Sequence, residues 1–343
     1  MAGFHNPHLP VRDDWLAQQA EEAIDPGLPI IDPHHHLWDV ARPRYLLDEL
    51  LADTRGGHNI LATVFVECRA MYRAGGPEPM RPLGETAFVA GVAAMAESGL
   101  YGPTRACAGI VGHADLRLGH AVREVLEAQL VTGGGRFRGI RHITAWDASP
   151  ETRSTTIIPP PGLMSDAAFQ QGFSELEPLG LSFDAWLYHP QLPELIALAR
   201  RFPGTRIILD HLGGPLGVGP YRREESFAPW RDSIRELARC PNVAVKLGGL
   251  AMRTHGNAFH ERPAPPSSAD MADAWRPWME TCIEAFGPDR CMFESNFPVD
   301  KGMTGYTALW NAFKRLASGA SPGEKAALFH DTAARIYNIK GEA

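Results

Sequence analysis

Ile30-Ile31-Asp32-Pro33-His34-His35-His36-Leu37-Trp38-Asp39 is the stretch on which the fold turns. Its apolar start predicts a short strand, and its end carries a His-x-His pair. Side chains alternate across a strand, so His34 and His36 share one face and His35 takes the other. Two imidazoles on one face at a strand tip can hold a borderline metal such as zinc. The plainer alternative is a surface histidine cluster, against which the apolar flanks argue.

Outward from this stretch, short β-branched runs alternate with amphipathic helical patterns. The expected strands are Pro29–Pro33, Leu61–Glu67, Ala106–Gly112, Phe137–Ile143, Leu181–Leu187, Arg206–Asp210, Val243–Leu247 and Arg290–Glu294. Helical patterns fall between them, and a last helix is expected over Pro322–Tyr337, with proline near its start. Strands alternating with helices imply parallel pairing and right-handed crossovers. Eight such units predict an α/β fold of the (β/α)8 barrel type. The chain exceeds the roughly 250 residues typical of that fold. Insertions at Arg69–Pro82, Asp147–Met164, Gly213–Phe227 and Met252–Ser268 absorb the excess, as lids or substrate walls on the catalytic face.

The chain has 343 residues, 44% of them hydrophobic, enough for one large domain or two ordinary ones. No internal repeat is visible. The expected organisation is an arm over residues 1–27 and a single barrel domain over 28–340. Acidic residues outnumber basic ones, 40 to 33, and no Lys/Arg-rich block occurs, which argues against nucleic-acid or acidic-membrane partners. Cys68, Cys107, Cys240, Cys282 and Cys291 are scattered and lack Cys-x-x-Cys spacing, as expected of free thiols in a reducing compartment. No apolar run reaches the ~18 residues of a membrane span. No signal-peptide pattern opens the chain. A cytoplasmic protein is the expectation.

A barrel enzyme draws its site from the C-terminal ends of its strands. Those exits carry His34 and His36, then Glu67, then His113 with Asp115. They continue with Arg141 and His142, then Tyr188 and His189, then Asp210 and His211. Lys246 follows, and Glu294, Asn296 and Asp300 close the set. A single histidine at a strand end also fits packing or loop capping. The converging set is the stronger signal. Gly133-Gly134-Gly135 and Gly213-Gly214 lack the phosphate-loop forms and read as turns, so no organic cofactor is expected. Ser165 and Ser174 lack the context of a nucleophile elbow.

Four motifs carry a family resemblance: Asp32-Pro33-His34-His35-His36-Leu37-Trp38-Asp39, Gly139-Ile140-Arg141, Asp210-His211-Leu212-Gly213-Gly214-Pro215 and Arg290-Cys291-Met292-Phe293-Glu294-Ser295-Asn296-Phe297-Pro298. The chain resembles the amidohydrolase superfamily, and within it the amidohydrolase-2 group of pyrone dicarboxylate and sugar-acid lactonases. The resemblance implies that the strand-one histidines bind a divalent metal or, in metal-free members, the substrate. It makes His211 the strand-six histidine and puts His189 where many members keep a strand-five metal ligand. Arg141 matches an arginine that contacts a substrate carboxylate, a task suited to a guanidinium fork. At strand eight the family usually has Gly-Ser-Asp-Trp-Pro, whose aspartate is the general base. Asn296 stands in that place, and a carboxamide takes no proton at neutral pH. Glu67, Glu294 and Asp300 are the replacement candidates. Glu67 is preferred as an acid ending an apolar strand, with a salt bridge to Arg69 or Arg141 as its alternative reading.

The expected site therefore has Glu67, His211 and Asn296 as catalytic groups. Arg141, His142 and Tyr188 are expected to bind substrate. His34, His36, His189 and His211 are expected to hold zinc or manganese. Without the strand-eight aspartate, little negative charge is expected beside the ion. The leading reading is hydrolysis of a lactone bearing a carboxylate or hydroxyls, by water attack on a carbonyl polarised by a metal or by His and Arg donors. The alternatives are a decarboxylase or hydratase of an aromatic or dienoic acid, and a barrel that binds a small acid without turnover. A homo-oligomer is compatible with each.

Overall fold

The computed structural model describes residues 8–39 and 44–340. Its strands are β1 (Pro29–His35), β2 (Asn59–Val66), β3 (Arg105–Gly112), β4 (Phe137–Arg141), β5 (Ser182–Ala185), β6 (Ile207–Leu209), β7 (Val243–Leu247) and β8 (Cys291–Phe293). They pair in chain order, every pair parallel. β1 meets the end of β8 through a His35–Phe297 bridge, with His36 N donating to Phe297 O at 2.8 Å. The sheet is a nearly closed (β/α)8 barrel.

The helices are α1 (Asp13–Leu16), α2 (Leu47–Thr54), α3 (Leu83–Glu97), α4 (Val122–Thr132), α5 (Ala167–Phe173), α6 (Leu192–Arg201), α7 (Arg223–Leu237), α8 (Ser268–Phe286), α9 (Tyr306–Leu316), α10 (Pro322–Ala326) and α11 (Thr332–Ile336). Among the described residues no helix is long and apolar enough to cross a membrane.

Both faces of a parallel sheet are covered, so both must be apolar. Phe65, Ile207, Leu209, Val245 and Phe293 point outward into the main core. Ile31, Val64, Val111, Ile208, Ala244 and Met292 point inward and form a second cluster with Ala333, Ile336, Tyr337 and Ile339. The C-terminal segment thus plugs the floor of the barrel. The expected single last helix is broken by a π-turn over Ala327–Asp331. The wider turn rotates the residues beyond it, which aims Ile336 and Tyr337 into the floor.

Three local features differ from the expectation. β1 runs on to His35 across a register shift between Asp32 and His35. Pro33, which has no N–H, sits at that irregularity. α2 went unread, although Leu47, Leu50 and Leu51 are buried at helical spacing and Glu49 caps Leu46 N at 2.8 Å. The described part of the N-terminal arm is fastened to the barrel. Asn311 of α9 donates to Glu21 and Glu22 and accepts from Ile24 N.

Candidate active site

The inward residues above the apolar floor are charged. Lys246 Nζ lies 2.6 Å from Asp184 and 3.1 Å from Asp210, all fully buried. Tyr337 Oη donates to the same Asp184 oxygen at 2.7 Å. One layer higher, Glu294 Oε2 is 2.8 Å from His34 Nδ1, and its Oε1 is 2.6 Å from His211 Nδ1. Burial works to raise the Glu294 carboxyl, but His211 and His34 outweigh it and hold it below the usual range. Glu294 is therefore an anion that accepts from His211 Nδ1 and lies within ion-pair distance of His34 Nδ1, which Lys246 Nζ also approaches at 3.3 Å.

With Nδ1 of His211 protonated toward Glu294, its Nε2 carries a lone pair. His36 Nδ1 is 2.8 Å from Val66 O, so its Nε2 is also an acceptor. His34 Nε2 and His36 Nε2 face each other at 3.3 Å. Arg141 Nη1 lies 3.4 Å from His34 Nε2, and the two imidazole nitrogens are also placed to share a cation. Ligands about 2.1 Å from a tetrahedral zinc stand roughly 3.4 Å apart, so the spacing fits. His34, Asp210 and His211 also bring ligand atoms within 4.8 Å of one another. Glu67, Asp184, Asp210 and Glu294 are all buried around the histidines, beside the buried cations Arg141 and Lys246. This corrects the expectation of little negative charge at the site.

Backbone geometry supports the same residues. His211 and Asn296 both adopt φ of +54°. For a non-glycine residue this costs on the order of 1 kcal/mol and is held by its surroundings. His211 N donates to Glu294 Oε1, and Asn296 N donates to His34 O. Gly248 and Gly249 make room. A Cβ on Gly248 would strike Glu294, and one on Gly249 would come within 2.6 Å of the His211 ring. These glycines were missed; their signal was a Gly-Gly pair directly after the β7 run.

The expected site residues divide into those that converge and those that do not. His34, His36, Arg141, His211 and Asn296 come together at the barrel mouth. Asn296 Nδ2 donates to Asp300 Oδ1 at 2.8 Å, which leaves its carboxamide oxygen for the pocket. Glu67 is paired: its Oε1 accepts from Arg141 Nε at 2.9 Å. The salt-bridge reading describes it, and Arg141 spends much of its fork on this acid. His189 stands apart; its Nδ1 accepts from Leu216 N and its ring packs edge-on against Tyr221. A 3₁₀ turn over His189–Gln191 carries it out of phase with β5. Tyr188 Oη donates to Thr152 O at 2.6 Å and contacts Ser154, so it anchors the 147–164 insertion. His142 accepts from Leu116 N and lines a neighbouring cavity. Burial there depresses its imidazole to about 3.

The pocket over the histidines is about 70 Å³. His8 of the arm also lines it, its ring parallel to Trp38 at 6.1 Å. No periodic pattern marked His8 in advance.

A parallel barrel with clustered imidazoles and carboxylates at its C-terminal mouth is the architecture of a barrel hydrolase. The family described as Amidohydrolase matches residues 31–339, and the chain belongs to that family. The uncharacterized protein y4mH of Sinorhizobium fredii is 36% identical over 332 residues, covering 90% of this chain and 98% of that one. An L-fucono-1,5-lactonase of Burkholderia multivorans is 30% identical over 233 residues, covering 68% and 72%. A crystal structure of a Burkholderia multivorans amidohydrolase with bound zinc is 27% identical with a TM-score of 0.69, covering 91% and 99%.

Proposed function

We propose that this enzyme opens the ring of a sugar-acid lactone by hydrolysis. The observation that carries the reading is Glu294 set against His34 and His211, with His211 lining a pocket together with Arg141 and Asn296. The similarity to lactonases supports the substrate class.

His211 is the proposed proton carrier. Glu294 holds its Nδ1–H, which turns Nε2 toward the mouth as a base, the arrangement that orients imidazoles in many hydrolases. Water loses a proton to Nε2 and adds to the lactone carbonyl. Collapse of the tetrahedral adduct breaks the ring C–O bond, and His211 returns the proton to the departing ring oxygen. Asn296 accepts a substrate hydroxyl through its carboxamide oxygen. Arg141 sets positive charge beside the developing oxyanion. His34, His36 and Asp210 would hold a divalent ion, zinc or manganese, whose chemistry is to polarise the carbonyl. The lyase alternative was motivated by the missing strand-eight aspartate. Glu294, two residues earlier, now supplies a carboxylate there.

The test is ring opening of fucono-, rhamnono- and gluconolactones, followed by proton release. Rates above spontaneous hydrolysis are expected. A panel that opens no faster with enzyme than without it would sink the reading.

A further inference from the structure

Beside the catalytic pocket lies a second cavity of about 600 Å³, within the roughly 300–1,000 Å³ range of small-molecule sites. Glu67, Arg69, Ile143 and Ile157 line both spaces, so the two adjoin. A lactone ring at the histidines leaves this second volume unused.

Two insertions enclose it. The 147–164 segment supplies an apolar wall that includes Ile158, Pro159 and Pro160. The 69–82 segment supplies Arg69, Arg73 and Arg81. That second segment is built rather than loose. The buried Glu85 carboxylate accepts from Cys68 N at 3.0 Å and Ala70 N at 2.7 Å. These bonds hold Arg69 at φ +65° between them. Arg73 N donates to Arg81 O at 3.0 Å, so both arginines leave the neck of one loop. Gly84 lets α3 pack directly on that neck, because a Cβ there would strike Met71 O.

Charge bookkeeping leaves this wall cationic. Arg117, also in the cavity, is paired with Asp115. Among the described residues, the exposed Arg69, Arg73 and Arg81 form no salt bridge, Arg69 lies over the Tyr72 ring, and the cavity's other acids are Glu78 and Glu67, the latter paired with Arg141. Arg141 was the expected carboxylate binder, but Glu67 occupies it. The guanidiniums open to an anion are those of the loop.

We infer that the substrate carries an anionic oxyacid group, a carboxylate or a phosphate, on a substituent beyond its lactone ring, and that Arg69, Arg73 and Arg81 bind it in the second cavity. Guanidinium forks match both oxyacids, and the apolar wall covers the body of the substituent. The ring-opening half rests on the lactonase reading; the anion site does not.

The experiment therefore has a binding arm and a turnover arm. In the first, titration calorimetry compares gluconate with 6-phosphogluconate and glucarate, which place a phosphate or a carboxylate at the far end. At least one is expected to bind tenfold tighter than gluconate, and which one names the oxyacid. In an Arg73→Ala/Arg81→Ala variant with unchanged circular dichroism, the ratio falls toward one. Equal affinities in the parent, or a preference that survives the double change, would overturn the inference. In the second arm, 6-phosphoglucono-1,5-lactone is expected to exceed glucono-1,5-lactone tenfold in kcat/KM, mainly through KM. If neither ring opens while the binding preference stands, the lactonase reading fails and the anion site survives.

Discussion

At the floor of the barrel, Val64, Val111, Ile208 and Ala244 close on Ile336 and Tyr337. One layer up, β5 and β7 present Asp184 and Lys246, and Asp210 follows β6. Alternation gives both levels the same inward direction, so direction does not separate them. Height along the strand does. The floor buries apolar area and supports stability. The mouth buries charge, which is costly unless every group is paired. The comparison teaches that this mouth is organised for chemistry and depends on the floor for its foundation.

Four substitutions can break or sharpen this contrast. Lys246→Met strands Asp184 and Asp210 as buried anions. It is expected to destabilise by about 3–5 kcal/mol in urea unfolding. A loss under 1 kcal/mol would mean the acids take other partners. Glu294→Gln keeps the shape but removes the charge shared by His34 and His211. A fall of about a thousandfold in kcat/KM, roughly 4 kcal/mol, is expected, with near-ultraviolet circular dichroism retained. Activity within tenfold of the parent would show that the mouth is organised by something else. Ile336→Ala opens a cavity in the floor and is expected to cost about 2–4 kcal/mol of stability. The folded fraction should keep its kcat; a proportional loss of kcat would erase the distinction between the levels. Tyr337→Phe removes one hydrogen bond to Asp184, for a stability loss of about 1 kcal/mol. A larger loss would make the tyrosine part of the charged layer rather than of the plug.

Much of the architecture was legible because a parallel strand must be apolar on both faces, and runs such as Ile207-Ile208-Leu209 announce that directly. His34 and His36 were legible for a related reason. Their two-residue spacing brings their Nε2 atoms to 3.3 Å even though the register shift spans Asp32 to His35. Partnerships were only partly legible. Glu67 was placed at a strand exit with Arg69 or Arg141 as its alternative partner, and the fold selects Arg141, 74 residues along the chain. Asp184 drew no notice, because its partners Lys246 and Tyr337 belong to other elements. His189 failed differently: a 3₁₀ turn ended the strand period before reaching it. Glu294 was a candidate from the start. Its contacts with two imidazoles, rather than its position, distinguish it from Glu67 and Asp300.

The tyrosine at the floor also has a bearing on synthesis. Tyr337 follows Asp184 by 153 residues. At about 5–20 residues per second, a ribosome separates the two by roughly 8–30 seconds. Through that interval the nascent chain carries an acid destined for burial whose final partner has yet to be made. Lys246 comes first, 62 residues after the acid, so the ion pair is available before the plug that completes it.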